Sequence, residues 1–117
     1  MRCQISEDDL PAFVAYLALG TLEAIRTGTV SPDVGIWTLG MPLTWEPLEE
    51  ANLVPQEIID VLRVSDELAA LQKSAPLAFD AVVSDLIERL RVALREMPNP
   101  IWRVEWGQTV LDQDEER

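Results

Sequence analysis

The chain has 117 residues, 48% of them apolar, and its 21 acidic and nine basic side chains give a formal net charge of −12. This length and apolar content predict one globular domain and exclude an intrinsically disordered chain. The negative charge disfavours nucleic acids and anionic membranes as partners and favours a basic protein surface. Acidity also keeps proteins soluble, so charge alone does not name a partner.

Missing residue types exclude most catalytic and metal chemistry. The chain has no histidine, and its one cysteine, Cys3, can form neither a catalytic pair with histidine nor an intrachain disulfide. The five glycines are scattered and do not form a phosphate-binding loop. A carboxylate-dependent metal enzyme is the one catalytic alternative. We predict no catalytic residue, no cofactor and no metal ligand.

The start of the chain predicts a cytoplasmic protein. Its first nine residues, MRCQISEDD, contain acids where an export signal requires an apolar run. The uncharged stretch 10–22 is too short to span a bilayer. The lack of paired cysteines suits a reducing compartment.

Proline, glycine and capping residues predict the first helices. The first helix follows Asp8 or Asp9 and ends at Gly28, and its apolar residues on both sides predict that it is covered on most of its faces. A second helix of about two turns begins at the cap Ser31 and ends at Gly40. The expected helices therefore alternate with short glycine-containing connections.

The middle of the chain predicts three short helices. The first starts at Thr44-Trp45-Glu46-Pro47, and Asn52 ends it in the left-handed conformation. Pro55 opens the next helix, and Ser65 caps the third. The residues expected to face inward from the last two are Ile58, Ile59, Leu62, Leu68 and Leu71.

The longest predicted helix runs from the cap Ser74 to Met97, with an exposed Asp85–Arg89 pair. Its expected buried stripe is Phe79, Val83, Leu86, Ile87, Leu90, Leu94 and Met97. Together these elements predict an all-α, compact helical domain of about five to six helices over residues 1–111.

The C-terminal part of the sequence changes character. Residues 101–106 alternate as in a strand, and residues 112–117 read as an acidic disordered tail. The sequence leaves open whether 101–106 form a short strand or an extended segment. Trp102 and Trp106 are expected to pack against the helices, with pairing to another chain's sheet edge as the alternative.

Negative charge is concentrated in residues 44–67, which hold seven acids and a single base, Arg63. An acidic surface with an aromatic anchor suits docking to a basic protein. The predicted partner-binding residues are Trp45, Glu46, Glu49, Glu50, Glu57 and Asp60. The sequence favours a core position for Trp37 and leaves Trp45 open between core and interface.

The run VAYLALGTLEAI at 14–25, followed by TGTVS at 27–31 and by Pro42, resembles a family of small bacterial proteins that includes immunity proteins of polymorphic (LXG-type) toxin systems. The resemblance covers about residues 10–42 and is carried by a Leu-Gly helix, a glycine stop and a serine-capped second helix. It implies a bacterial cytoplasmic protein that neutralises a toxin by binding it. The resemblance does not assign a functional role to any residue of this chain.

The leading hypothesis is therefore an acidic, immunity- or antitoxin-like protein that binds a cognate toxin stoichiometrically. The alternatives are a regulatory or oligomerising helical module, for which a homodimer stays open, and the carboxylate-dependent enzyme.

Overall fold

The computed structural model describes residues 4–98 and residue 100. Its α-helices are α1 (Leu10–Arg26), α2 (Asp33–Gly35), α3 (Pro42–Glu50), α4 (Gln56–Val64), α5 (Leu68–Ser74) and α6 (Pro76–Glu96). A π-helical turn, Ile36–Gly40, continues α2, and a 3₁₀ turn, Ser65–Glu67, joins α4 to α5. The described residues contain no strand, and the all-α prediction is confirmed for them.

The predicted number of five to six helices is not matched in full. Four helices, α1, α3, α4 and α6, have nine residues or more. The stretches 33–40 and 65–74 each divide into short segments of different helical type. None of the helices in the described part of the chain is long and apolar enough to cross a membrane.

The core lies between α1 and α6, which pack along each other, and is closed by α4 and α5. The predicted stripe of α6 is confirmed, with its first five residues buried and Leu94 and Met97 partly buried. The largest fully buried apolar side chains are Leu22, Leu39, Ile58, Ile59, Leu62, Leu68, Leu86, Ile87 and Leu90. This single cluster draws on every long helix except α3, which contributes partly buried side chains.

The expectation that α1 is covered on most of its faces is confirmed, because only Tyr16, Leu17, Gly20 and Arg26 of its 17 residues are exposed. Its inward side carries the small residues Ala15 and Ala18, both fully buried against the core. Leu17, on the other side, is 49% exposed, and Gly20 is exposed as well. The sequence did not show which stripe of α1 is left uncovered, because apolar residues occur on all of its sides.

Two predicted helix ends are confirmed by backbone conformation. Gly28 follows α1 with φ +76°, and Asn52 follows α3 with φ 53°. Both values lie in the left-handed region, which glycine and asparagine adopt most readily.

Several predicted helix starts need correction. α3 begins at Pro42 rather than Thr44, which places Pro47 inside the helix. The hydroxyls of Ser65 and Ser74 do not cap: they donate to the carbonyls of Val61 and Ala70 at 2.8 and 3.0 Å. Because the chain is already helical before both serines, each hydroxyl bonds back to the preceding turn.

The second predicted helix also starts differently. Its first helical residue is Asp33, and no side chain caps it, so Ser31 does not act as the predicted cap. Pro32 directly before it is consistent with a helix start, since proline fits the first turn. The predictions for the segment 101–106, its tryptophans, the tail 112–117 and the domain limit at residue 111 lie outside the described residues.

Candidate functional site

Trp45 holds α3 in place. Its ring is partly buried against the core, and its Nε1 donates a 3.1 Å hydrogen bond to the carbonyl oxygen of Gly40. The guanidinium of Arg63 lies over the ring, 4.6 Å from the ring centroid. Both contacts are made within the molecule, so Trp45 packs against the domain.

Two of the predicted acidic residues share a polar network with Arg63. The Oε2 atom of Glu49 accepts hydrogen bonds from Arg63 at 2.6 Å and from Gln56 at 3.0 Å. Gln56 Nε2 also donates to Asp60 at 3.0 Å. Glu49 therefore joins α3 to α4, Asp60 holds Gln56 within α4, and part of the hydrogen-bonding capacity of both acids is already used.

The other three predicted acids point into solvent. The side chains of Glu46, Glu50 and Glu57 are exposed and form no ion pair with another described residue. Glu57 lies apart from the Arg63 network and lines a shallow pocket of about 240 Å³ with Val92 and acids of α6. The structure thus groups Trp45, Glu49 and Asp60 around Arg63 and does not bring Glu57 to them.

Trp37 is exposed, contrary to the core position favoured by its sequence. It lies in the π-helical turn and is 74% exposed, whereas Leu39 in the same turn is 1% exposed. Leu43, in the first turn of α3, is 85% exposed. A two-turn helix buries one side, and Gly35 and Leu39, four positions apart, occupy it. That spacing is a signal in the sequence that places Trp37 outward.

The π-helical turn is fixed firmly to the body of the domain. A Cβ atom built on Gly40 would lie 2.5 Å from the backbone nitrogen of Asp66, so the two backbones are in direct contact. The hydroxyl of Thr44 donates to the carbonyl of Thr38 at 3.4 Å and ties α3 to the turn. Trp37 and Leu43, both exposed, each directly precede a member of this pair in the sequence.

Positive charge on the described surface is largely neutralised. Each described arginine is in an ion pair with Glu23, Glu49, Asp85 or Glu88; the arginines are Arg26, Arg63, Arg89, Arg91 and Arg95. Lys73 is the one further base in this part of the chain, and it forms no ion pair there. Three exposed acids lie near Trp37. Asp33 precedes it by four residues, and Asp66 and Glu67 belong to the 3₁₀ turn that packs against the π-helical turn. The surface near Trp37 is consequently negative.

A second apolar surface lies on the outer side of α1. A groove of about 360 Å³ is lined there by Tyr16, Leu17, Gly20, Thr21, Ala24, Val30 and Val34. No charged side chain is part of its lining. Leu17 and Thr21 belong to α1, and Val30 and Val34 belong to the connection and helix that follow, so the groove runs between two consecutive elements.

Within residues 4–98 and 100, no group of three or more cysteine or acidic side chains is arranged to hold a metal ion. No protein-family model matches the chain, and neither the search of characterised proteins nor that of solved structures found a significant match.

Proposed function

We propose that this protein is a cytoplasmic, acidic protein-binding module that neutralises a cognate basic toxin by stoichiometric binding. In this proposal the chain acts by covering a surface of the toxin, and it needs neither a catalytic residue nor a cofactor. The docking face comprises Trp37, Leu43, Glu46, Glu50 and Asp66.

The exposure of Trp37 is the observation that carries the proposal. Leaving a tryptophan 74% in water forfeits most of the free energy that its burial would contribute. Tryptophan is also the residue type most enriched among those that dominate binding energy at protein interfaces. Its turn is packed against Asp66, so the side chain is presented by a fixed backbone rather than by a loose loop. A preorganised aromatic anchor loses less entropy on binding.

Electrostatics supports a basic partner. The described arginines are all paired within the molecule, and the exposed carboxylates of Glu46 and Glu50 have no such partner among the described residues. Such a surface attracts cations from a distance and accelerates encounter with a positively charged protein. The same charge disfavours association of two copies of this chain.

The residues predicted from the sequence take two roles in this proposal. Glu46 and Glu50 supply the attracting charge. Trp45 and Glu49 support the face from within, because they fix α3 against α4 and the π-helical turn, and Asp60 supports them through its hydrogen bond to Gln56 within α4. Glu57 lies beside α6 and is outside the docking face.

Affinity purification with crosslinking from the source organism tests the proposal. The tagged wild-type chain should recover one basic protein in a 1:1 complex, and that protein should inhibit growth when produced alone. Trp37→Ala should lose most of it, whereas Leu77→Ala, which removes another exposed apolar side chain outside the docking face, should retain it. Recovery of a homodimer alone would instead support the oligomerising module.

A further inference from the structure

The groove on the outer side of α1 has a glycine in its lining that the packing of this chain does not require. Gly20 lies within the 17-residue helix α1, where glycine is less favourable than any residue except proline. A Cβ built on Gly20 meets no atom within 4 Å. By contrast, a Cβ on Gly40 would collide with Asp66. Gly20 therefore leaves space beside the α1 backbone that a side chain would otherwise fill.

The walls of this space are apolar. Leu17 is 49% exposed on one side, and Val30 and Val34 border the other. The volume of about 360 Å³ accommodates one or two large apolar side chains but no folded element. The groove is shallow and open to solvent, and its apolar lining can contact an anchor side chain that lies across it.

The groove is continuous with the docking face. Val34 borders the groove, and Trp37 follows it by three positions in the helical stretch 33–40, so the two side chains lie on neighbouring parts of one helical surface. A partner that covers Trp37 therefore reaches the groove without crossing another element.

We propose that the groove receives a leucine or phenylalanine side chain from the basic partner, whose backbone crosses α1 at Gly20. This inference rests on the proposed function and names the contact that would accompany Trp37. A second copy of the chain is a poor occupant, because each copy carries a net charge of −12. A basic partner combines an apolar anchor in the groove with attraction to the negative charge of the chain, including the exposed Asp33 beside Val34.

A defined peptide pair serves as the probe. One amphipathic helical peptide contains only lysine and leucine, with the leucines along one side, and the other has serine in place of every leucine at the same charge. We expect the lysine–leucine peptide to bind at least about tenfold more tightly, a difference typical of one good apolar contact. In NMR titrations it should shift the amide signals of Gly20, Val30 and Val34.

Gly20→Leu tests the groove directly. A leucine in a helix points back toward the preceding turn, so its side chain would lie beside Leu17 and fill the space. We expect this variant to weaken lysine–leucine peptide binding about tenfold with no fall in Tm. The matched control Ser84→Leu adds the same side chain at an exposed position of α6 and should leave binding unchanged.

Three results would overturn the inference: equal binding of the two peptides, lysine–leucine peptide binding that Gly20→Leu leaves unchanged, or concentration-dependent dimerisation of the wild-type chain that Gly20→Leu abolishes.

Failure of this inference is distinguishable from failure of the proposed function. If Trp37→Ala loses the natural partner while Gly20→Leu retains both partner and peptide, the docking face stands without the groove. If no basic partner is recovered but the peptide results hold, the proposed function alone fails.

Discussion

The guanidinium carbon of Arg63 lies 4.6 Å from the centroid of the Trp45 ring, and the same guanidinium donates to Glu49 at 2.6 Å. Trp45 and Glu49 are four residues apart on α3, so one arginine of α4 contacts two successive turns of that helix. This arrangement explains why a helix with no fully buried side chain keeps its place. It also distinguishes Trp45, which packs, from Trp37, which is exposed.

The Arg63 contact should contribute measurably to stability. Arg63→Ala removes a cation–π contact and a partly exposed ion pair, and we expect the free energy of unfolding to fall by about 1–2 kcal/mol. Arg89→Ala removes only the exposed pair with Asp85 on α6 and should cost less than about 0.5 kcal/mol. Urea unfolding followed by circular dichroism measures both. Equal losses would show that the contact with Trp45 contributes nothing.

Two glycine-to-alanine substitutions should have opposite effects. At Gly40 the new methyl group would lie 2.5–2.7 Å from backbone and side-chain atoms of Asp66, and we expect a loss of about 1–3 kcal/mol. At Gly20 no atom lies within 4 Å, so the higher helix propensity of alanine should stabilise by about 0.5–1 kcal/mol. Thermal unfolding of the two variants gives the comparison. A stabilised Gly40→Ala would contradict the close approach of the π-helical turn to Asp66.

The two tryptophans of the described region should differ in stability effect. Trp37→Ala removes an exposed side chain and should change the free energy of unfolding by less than about 0.5 kcal/mol. Trp45→Ala removes core contacts, the bond to Gly40 and the Arg63 stacking, and should cost about 2–4 kcal/mol. Chemical denaturation of both variants checks the assignment. A larger loss at Trp37 than at Trp45 would reverse it.

Charge on the docking face should act mainly on the association rate. The double variant Glu46→Lys, Glu50→Lys reverses two exposed charges without breaking a described ion pair. We expect its association rate constant for the basic partner to be about tenfold lower than that of the wild type at low salt. The difference should diminish at high ionic strength because salt screens exposed charges. Surface plasmon resonance across a salt series measures it.

The matched control places lysine at Asp80 and Glu96, two exposed acids of α6 outside the docking face. It changes the net charge by the same amount, so it should show a clearly smaller reduction. If both double variants slow association equally, net charge rather than this face directs encounter.

The sequence predicted the all-α class, the stripe of α6 and the ends at Gly28 and Asn52, because these depend on periodicity and local backbone preference. It predicted less about which side of an element is covered. Leu17 and Trp37 are apolar, and their exposure follows from where the neighbouring helices pack, which residue type does not encode. Ser65 shows the same limit. It precedes two acids, as a helix cap often does, but in the structure it continues a helix that has already formed.

The predicted docking residues show the same division. The residue types of 44–67 predicted an acidic surface, and Glu46 and Glu50 are exposed. The ion pair of Glu49 with Arg63 joins residues 14 positions apart, so it depends on the packing of α3 against α4. Trp37 was missed as a surface residue because its short helix has apolar residues on both sides.

Co-expression in a growth assay tests most directly whether the chain neutralises a toxin by binding through Trp37. The basic protein recovered with the wild-type chain would be produced alone, with the wild-type chain, and with Trp37→Ala at equal abundance. We predict that the wild-type chain restores growth and forms a 1:1 complex, whereas Trp37→Ala restores neither. Growth that is unaffected by the recovered protein, or rescue by Trp37→Ala equal to that by the wild type, would contradict the account.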